Sequence, residues 1–326
     1  MKRLALLLLL VPPALAAEPP RLQLPLDCRL GETCWVMNYP DADPGKEARD
    51  FACRPRSYDG HDGTDIALRD VVAMKGVQVR AAAAGKVIAV RDGEPEGLWM
   101  AGRRDEVLAS RKECGNRVAI AHGDGWATDY CHLKTGSVKV RQGDAVAAGQ
   151  PLGEVGLSGM TAFPHAHVSL IRLIQPKPQP VDPFTGTELS AGCGKPGTEM
   201  WAQPVGYQPV SLYAAGFADH VPDDKELKAD ASSPATLSVR ASGLVVWGTV
   251  FGVAPGDRVV VRVNGPDGTQ LLEHAQSIDR DQAWRLVAAG KKLTAAQWPA
   301  GAYTGTVTLE RAGLPPQSRQ VRVELQ

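Results

Sequence analysis

No two of the six cysteines form a CxxC pair, which argues against a cysteine zinc ribbon and against a thioredoxin-like redox site. No basic block occurs either, and 36 Lys and Arg balance 36 Asp and Glu, so nucleic acid is not an expected partner. After the opening stretch no segment is long and apolar enough for a membrane helix, which takes about 20 residues. That opening stretch, MKRLALLLLLVPPALAA, is itself too short to span, and Pro12-Pro13 breaks it. Lys2 and Arg3, the apolar run from Leu4 to Val11 and the small residues Ala14-Leu15-Ala16 instead mark a secretory signal over residues 1–16, with Ala17 as the second choice of cleavage site. No cysteine follows the site, so no membrane anchor is expected once the signal is removed. The mature chain is expected to be periplasmic or secreted, where an even number of cysteines suits disulfides.

What is present is short strands punctuated by glycine. "GVQVRAAAAGKVIAV" (76–90) gives two β-like runs with Gly85 at the turn. "NRVAIAHGDGWATDYCHL" (116–133) alternates as a hairpin about Gly123-Asp124-Gly125. Residues 91–113 are charged and not strand-like, an expected insertion loop with helix around Asp105–Lys112, and whether it autoinhibits the domain is open. Residues 175–232 are rich in Pro, Gly and Asp; the first part reads as a wrap closing the first domain and residues 201–232 as a linker. From 233 to 326 the pattern is again β, with an Asn-Gly-Pro-Asp-Gly turn, and a small immunoglobulin-like β-sandwich is expected. That second unit has no catalytic constellation and is expected to bind the cell wall or a protein partner, or to act as a spacer. The fold class is therefore all-β, a Gly-rich antiparallel sheet domain over residues 17–200 followed by the sandwich.

"YDGHDGTDIA" (58–67) allows two readings of one histidine. His61–Asp62 is an adjacent His-Asp pair, as in some helical phosphohydrolases. His61 and Asp65 form an HxxxD pair able to share one metal. The β frame disfavours the first. Ligands to complete the second occur in "GMTAFPHAHVSL" (159–170), where His165 and His167 lie two apart on a strand and so face the same way. His132, in "TDYCHLKTG", ends the hairpin. A hydrolytic zinc takes three protein ligands and keeps a position for water. HxxxD with one histidine of HxH supplies three, and two histidines remain for acid–base work. Asp62 reads as solvated or capping the turn, His122 as structural, and His220 and His274 as surface residues.

"GHDGTD", "YCHL" and "SGMTAFPHAHVSL" resemble, in order and over residues 58–172, the three motifs of the lysostaphin/LytM-type zinc endopeptidases that cut bacterial peptidoglycan. The resemblance implies His61, Asp65 and His167 as ligands of one Zn2+ per chain, His132 and His165 as the catalytic pair, and the peptide cross-links or stem peptides of peptidoglycan as substrate. Cys131 before the YxHL histidine and Ala166 between the HxH histidines depart from the family's usual small residue and Leu. Two other functions remain open: a non-catalytic LytM-like activator of a cell-wall amidase, against which the intact ligands count, and a secreted zinc protease acting on proteins.

Cys114 precedes one strand of the 116–133 hairpin and Cys131 closes the other, so antiparallel pairing sets them opposite each other and predicts a Cys114–Cys131 disulfide. Cys28–Cys34 is expected as a local loop. Cys53–Cys193 follows by elimination and would tie the start of the first domain to its end. A chain ending near Gln208 is expected to keep the site.

Overall fold

The computed structural model describes residues 18–97, 104–173 and 177–326; the signal expected over residues 1–16 lies outside them. Ten strands make up the first part. They are β1 (Cys34–Asn38), β2 (Thr64–Leu68), β3 (Gln78–Arg80), β4 (Gly85–Arg91), β5 (Asn116–Gly123), β6 (Trp126–Leu133), β7 (Ala145–Val146), β8 (Pro151–Glu154), β9 (His165–Arg172) and β10 (Gln179–Val181). Eight of them form an antiparallel sheet in the order β1-β2-β9-β6-β5-β4-β7, with β10 added to β9, while β3 and β8 pair as a separate ladder. The order places β2, β9 and β6 side by side, which are the strands that carry the three motifs.

Period-two alternation sorts each strand between core and cleft. In β9, Ala166, Val168 and Leu170 enter the core with Ile66, Ile120, Tyr130 and Leu133. His165, His167 and Ser169 take the opposite face and line the cleft. The β5–β6 hairpin turns at Gly123, Asp124 and Gly125, all three at positive φ (91°, 46° and 77°), a conformation that glycine adopts at little cost. The two β-like runs expected over 76–90 are β3 and β4, but Gly85 is not at a turn. It opens β4, where a Cβ would lie 2.3 Å from the Ala121 carbonyl, so close strand approach explains the glycine. Within 91–113 the expected helix is α2 (Arg104–Ser110), preceded by α1 (Val71–Met74), and residues 98–103 of that loop lie outside the described residues.

All three expected disulfides are present: Cys28–Cys34, Cys53–Cys193 and Cys114–Cys131. The segment after β10 closes the first core as a wrap, burying Phe184, Met200 and Trp201 in it.

The second part has eight strands: β11 (Ser211–Ala218), β12 (Thr236–Leu237), β13 (Gly243–Val253), β14 (Arg258–Asn264), β15 (Gln270–Ser277), β16 (Gln282–Lys292), β17 (Gly301–Glu310) and β18 (Gln317–Leu325). They form a three-stranded sheet, β11-β13-β16, facing a five-stranded sheet, β12-β18-β17-β14-β15. The linker expected over 201–232 is corrected here. It contains β11, hydrogen-bonded to β13, and helix α3 (Asp224–Ala229), which has a capping box between Asp223 and Glu226.

Every residue of β13 is buried. Leu244, Val246 and Val250 pack inside the sandwich against Val307 and Val323. Trp247 and Phe251, on the other face, join Tyr213 in packing on Trp35, Met37 and Ala67 of β1 and β2. The three-stranded sheet is thus a middle layer with apolar contacts on both sides, which is why "GLVVWGTVF" reads as an almost unbroken apolar run. Polar groups bridge the same junction. Asp70 accepts from the Ala231 amide at 2.9 Å, and Arg56 and Arg311 both donate to the Pro209 carbonyl. The second part is not an independent appendage, as the expectation for a chain ending at Gln208 had supposed.

Candidate metal centre

Register and backbone conformation bring five side chains together. Asp65 on β2 pairs with His167 on β9, and His167 pairs in turn with Cys131 on β6. His61 stands four residues before Asp65 in the approach to β2. Between them Gly63 is obligatory for a spatial reason, because a Cβ there would lie 2.6 Å from His167 Nε2.

His132 needs a special device. Tyr130 points into the core and Cys131 into the cleft, so strict alternation would return His132 to the core. The β5–β6 pairing slips between Asn116 and Val118, and His132 takes φ 61°, in the left-handed region that a non-glycine residue rarely adopts. Both of its backbone groups are satisfied away from the ladder: its amide donates to the Cys114 carbonyl at 2.9 Å and its carbonyl accepts from Gly156 at 2.9 Å. The bulge puts two consecutive residues on one face, and the Cys114–Cys131 disulfide pins it beside the histidine.

Each buried imidazole has one nitrogen committed as a donor. His61 Nδ1 donates to the Tyr39 carbonyl (2.7 Å), His132 Nδ1 to the Ser158 carbonyl (2.8 Å) and His165 Nδ1 to the Phe163 carbonyl (2.8 Å). His167 is reversed, with Nε2 donating to Asp62 Oδ1 (3.1 Å) beside Ser169 Oγ (3.0 Å). A carbonyl or carboxylate only accepts, so these partners fix the tautomers. The other nitrogens carry bare lone pairs.

Three acceptors then converge. His61 Nε2, His167 Nδ1 and Asp65 Oδ1 lie 3.0 to 3.1 Å from one another, with no neutral donor between them. Asn38 Nδ2 donates to the second oxygen of Asp65 at 2.8 Å and so turns Oδ1 toward the imidazoles. Such a set is repulsive unless a cation or an added proton sits in it. Tetrahedral zinc, with bonds of about 2.0–2.2 Å, would hold its ligand atoms ~3.3 Å apart, close to what these residues present. The donor set fits zinc, and the same three residues form a group able to hold a metal ion. Without a cation, burial disfavours charge on His167, but its bonds to Asp62 and Asp65 prevail and raise it to about 10. Burial alone would raise Asp65, yet the imidazoles around it hold it well below the usual carboxylate range.

His132 and His165 flank this set, their ring centroids 4.7 Å apart. Burial lowers both, His132 strongly and with further lowering by the neighbouring imidazoles, so both are neutral at pH 7 with Nε2 unprotonated. All five residues expected from the motifs are therefore together. His122 bonds the Ala84 carbonyl and Thr128 Oγ1, and His220 and His274 are exposed, as expected. Asp62 is corrected: although exposed, it is not merely solvated but holds His167 in place. Asn38, Ser169 and Tyr58, whose ring stacks on His61 at 4.4 Å, were not anticipated. Alternation along β9 could have flagged Ser169, two residues past His167; Asn38 required the β1–β2 pairing.

Residues 59–183 match the profile of peptidase family M23. That segment, less than half of the chain, is what this protein shares with the family. The chain is 34% identical over 110 residues to the cell division protein DipM of Caulobacter vibrioides, covering 33% of this chain and 16% of that protein. It is 40% identical over 57 residues to the peptidoglycan DD-endopeptidase ShyA of Vibrio cholerae, covering 18% of this chain and 13% of that one. The chain thus spans less than a fifth of either curated relative. The catalytic domain of lysostaphin from Staphylococcus simulans aligns at 21% identity over 42% of this chain and 78% of that domain, with a TM-score of 0.28.

The M23 site opens into a cleft of about 810 Å³ whose walls come from both parts of the chain. Tyr58 and the site histidines line it from the M23 side, and Tyr213, Phe251 and Trp284 from the sandwich.

Proposed function

We propose that this chain is a zinc metalloendopeptidase that hydrolyses peptide bonds in the cross-links or stem peptides of bacterial peptidoglycan. The observation that carries the reading is the convergence of three bare acceptors beside two neutral imidazoles, within a segment of M23 sequence. His61, Asp65 and His167 would hold one zinc ion. When bound there, zinc would supply Lewis-acid polarisation of the scissile carbonyl and lower the pKa of a water to about 7.

The remaining chemistry belongs to side chains. His132 and His165 each present an unprotonated Nε2, held in orientation by a backbone carbonyl at the other nitrogen. One accepts the proton from the attacking water. The imidazolium so formed then donates that proton to the developing oxyanion or on to the leaving amine. Burial keeps both bases uncharged before reaction and excludes bulk water. Asp62 and Ser169 hold His167 against rotation, as an outer carboxylate does for a metal-bound histidine. Three disulfides support folding in an oxidising compartment, periplasmic or extracellular, and no helix of the described residues is long and apolar enough to cross a membrane.

The test is digestion of purified peptidoglycan by the zinc-loaded protein, followed by mass analysis. New amino and carboxyl termini at a peptide bond are expected, and none with His165→Ala. Intact peptide bonds, together with faster cleavage by an added cell-wall amidase, would establish the activator reading instead.

A further inference from the structure

The charged insertion over residues 91–113 reaches the cleft at both of its ends. Arg91, the last residue of β4, lines the cleft from the sheet, and Arg111, in the turn after α2, lines it from above that sheet's edge strands. Most charged groups in the cleft are already paired. Lys228 is bonded to Asp224, Arg69 to Asp70, and Arg117 to Asp129 through two contacts of 3.1 and 2.6 Å. Asp62 and Asp65 are held by the imidazoles of the metal site. Arg91 and Arg111 differ. Arg91 commits Nε to the Gly115 carbonyl at 2.5 Å, and its terminal nitrogens have no partner among the described residues. The Arg111 side chain makes neither a hydrogen bond nor an ion pair among them, although Glu113 and Asp59 also line the cleft.

Both guanidinium groups are nonetheless held by backbone. Arg111 takes φ 53°, in the left-handed region, and its amide donates to the Leu108 carbonyl at 3.1 Å. Gly115, the anchor of Arg91, is four residues further on, and Cys114 between them is tied to β6 by its disulfide. On the sheet a row of side chains leads from the metal site to this end. Ser169 on β9 pairs with Asp129 on β6, Asp129 binds Arg117 on β5, and Arg117 pairs with Arg91 on β4. Adjacent strands lie ~4.8 Å apart, so three steps put Arg91 about 14 Å from β9.

We infer that Arg91 and Arg111 form a carboxylate subsite, which fixes an acidic residue of the substrate peptide about four positions from the bond cut, at ~3.3 Å per extended residue. The inference rests on the reading of the cleft as a peptide-cutting site. A guanidinium offers its donors in a planar fork that matches a carboxylate, and two such cations without a carboxylate of their own repel each other until an anion joins them. Arg117 cannot serve, because Asp129 already fills its fork. Contact at this distance orients the scissile bond and takes no part in breaking it, so Arg91 and Arg111 are positioning residues. On this reading the insertion selects the substrate.

The experiment is calorimetric titration of the zinc-loaded, full mature chain, carrying His165→Ala so that the peptide is not consumed. The probes are a soluble cross-linked peptidoglycan stem peptide and the same peptide after amidation of its carboxyl groups. In that background Arg91→Gln and Arg111→Gln should each weaken binding of the acidic peptide ~3-fold, and the two together ~10-fold. Amidation should cost the parent ~10-fold and the double variant nothing further, while affinity for the amidated peptide stays the same in all four proteins, which a merely structural role would not produce. Arg111 is exposed and unpaired, so Arg111→Gln tests the subsite even where Arg91→Gln disturbs the fold. Equal affinity of the parent for the two peptides, or no binding of either, would overturn the subsite. Discrimination that survives in the double variant would overturn its assignment to these arginines. Discrimination as expected, with no cleavage when His165 is restored, would count against the endopeptidase reading and leave the subsite standing.

Discussion

Asp62→Ala should weaken zinc binding without touching a ligand. His167 Nε2 has two acceptors, Asp62 Oδ1 at 3.1 Å and Ser169 Oγ at 3.0 Å, and Ser169 itself donates to Asp62 at 3.2 Å. Loss of an outer carboxylate behind a metal-bound histidine costs ~10–100-fold in affinity. Two features place the single variant at the low end of that range. Ser169 remains as an acceptor, and Asp62 favours a competing proton on His167 as well as zinc, so part of its loss cancels. The expected penalty for Asp62→Ala is about tenfold, or ~1.4 kcal/mol. Adding Ser169→Ala leaves a buried N–H without a protein acceptor, which costs a further ~1–3 kcal/mol and brings the pair to ~100-fold or more. Competition for zinc against a fluorescent chelator at fixed pH measures both steps, with circular dichroism checking the fold. The two single penalties should not add, because the residues share one nitrogen. Wild-type affinity in the double variant would show that His167 needs no outer support and would falsify the assignment of its Nδ1 as the ligand atom.

His132→Ala and His165→Ala should each retain about one zinc per chain and lose hydrolysis by ~100–10,000-fold; wild-type turnover in either removes that residue from the mechanism. Cys114→Ser should lower turnover more than zinc content, since the disulfide anchors the bulge that aims His132 and the metal ligands lie elsewhere; equal loss of both would sink that distinction. Ending the chain at Gln208 would bare Trp35 and Met37, now 2% and 7% exposed, at ~1.5–3 kcal/mol per large side chain. Such a chain should aggregate or melt well below the full protein, and an equally stable, monomeric fragment would contradict the middle-layer packing. Asp182 is raised to about 7, chiefly by burial, and its Oδ2 has no partner. A carboxyl raised on folding stabilises below its unfolded value near 4, and that contribution disappears as pH rises through 7. Urea unfolding should accordingly show a loss of up to ~4 kcal/mol between pH 4 and pH 8 that Asp182→Asn flattens. A pH dependence identical in the two proteins would refute it.

The sequence by itself determined which residues meet. HxxxD, YxHL and HxH fall on strands whose alternation is written locally, and paired cysteines at the ends of a hairpin can be matched by counting from its turn. Period two likewise put His165 and His167 on one face and Ala166 in the core. Tertiary structure decided what those residues are able to do. Which nitrogen of each imidazole is bare depends on the carbonyls of Tyr39, Ser158 and Phe163 and on Asp62, three of them brought in from other segments and none marked by spacing in the motifs. His132 faces the cleft only because a bulge overrides alternation, and the left-handed φ that permits it is enforced by contacts at Cys114 and Gly156. The segment expected as a linker supplies β11, which pairs with an edge of β13, and Leu227 of α3, which joins the cluster on β13's outer face. Local pattern shows that a strand is buried, but a one-dimensional pattern cannot name the layer that buries it.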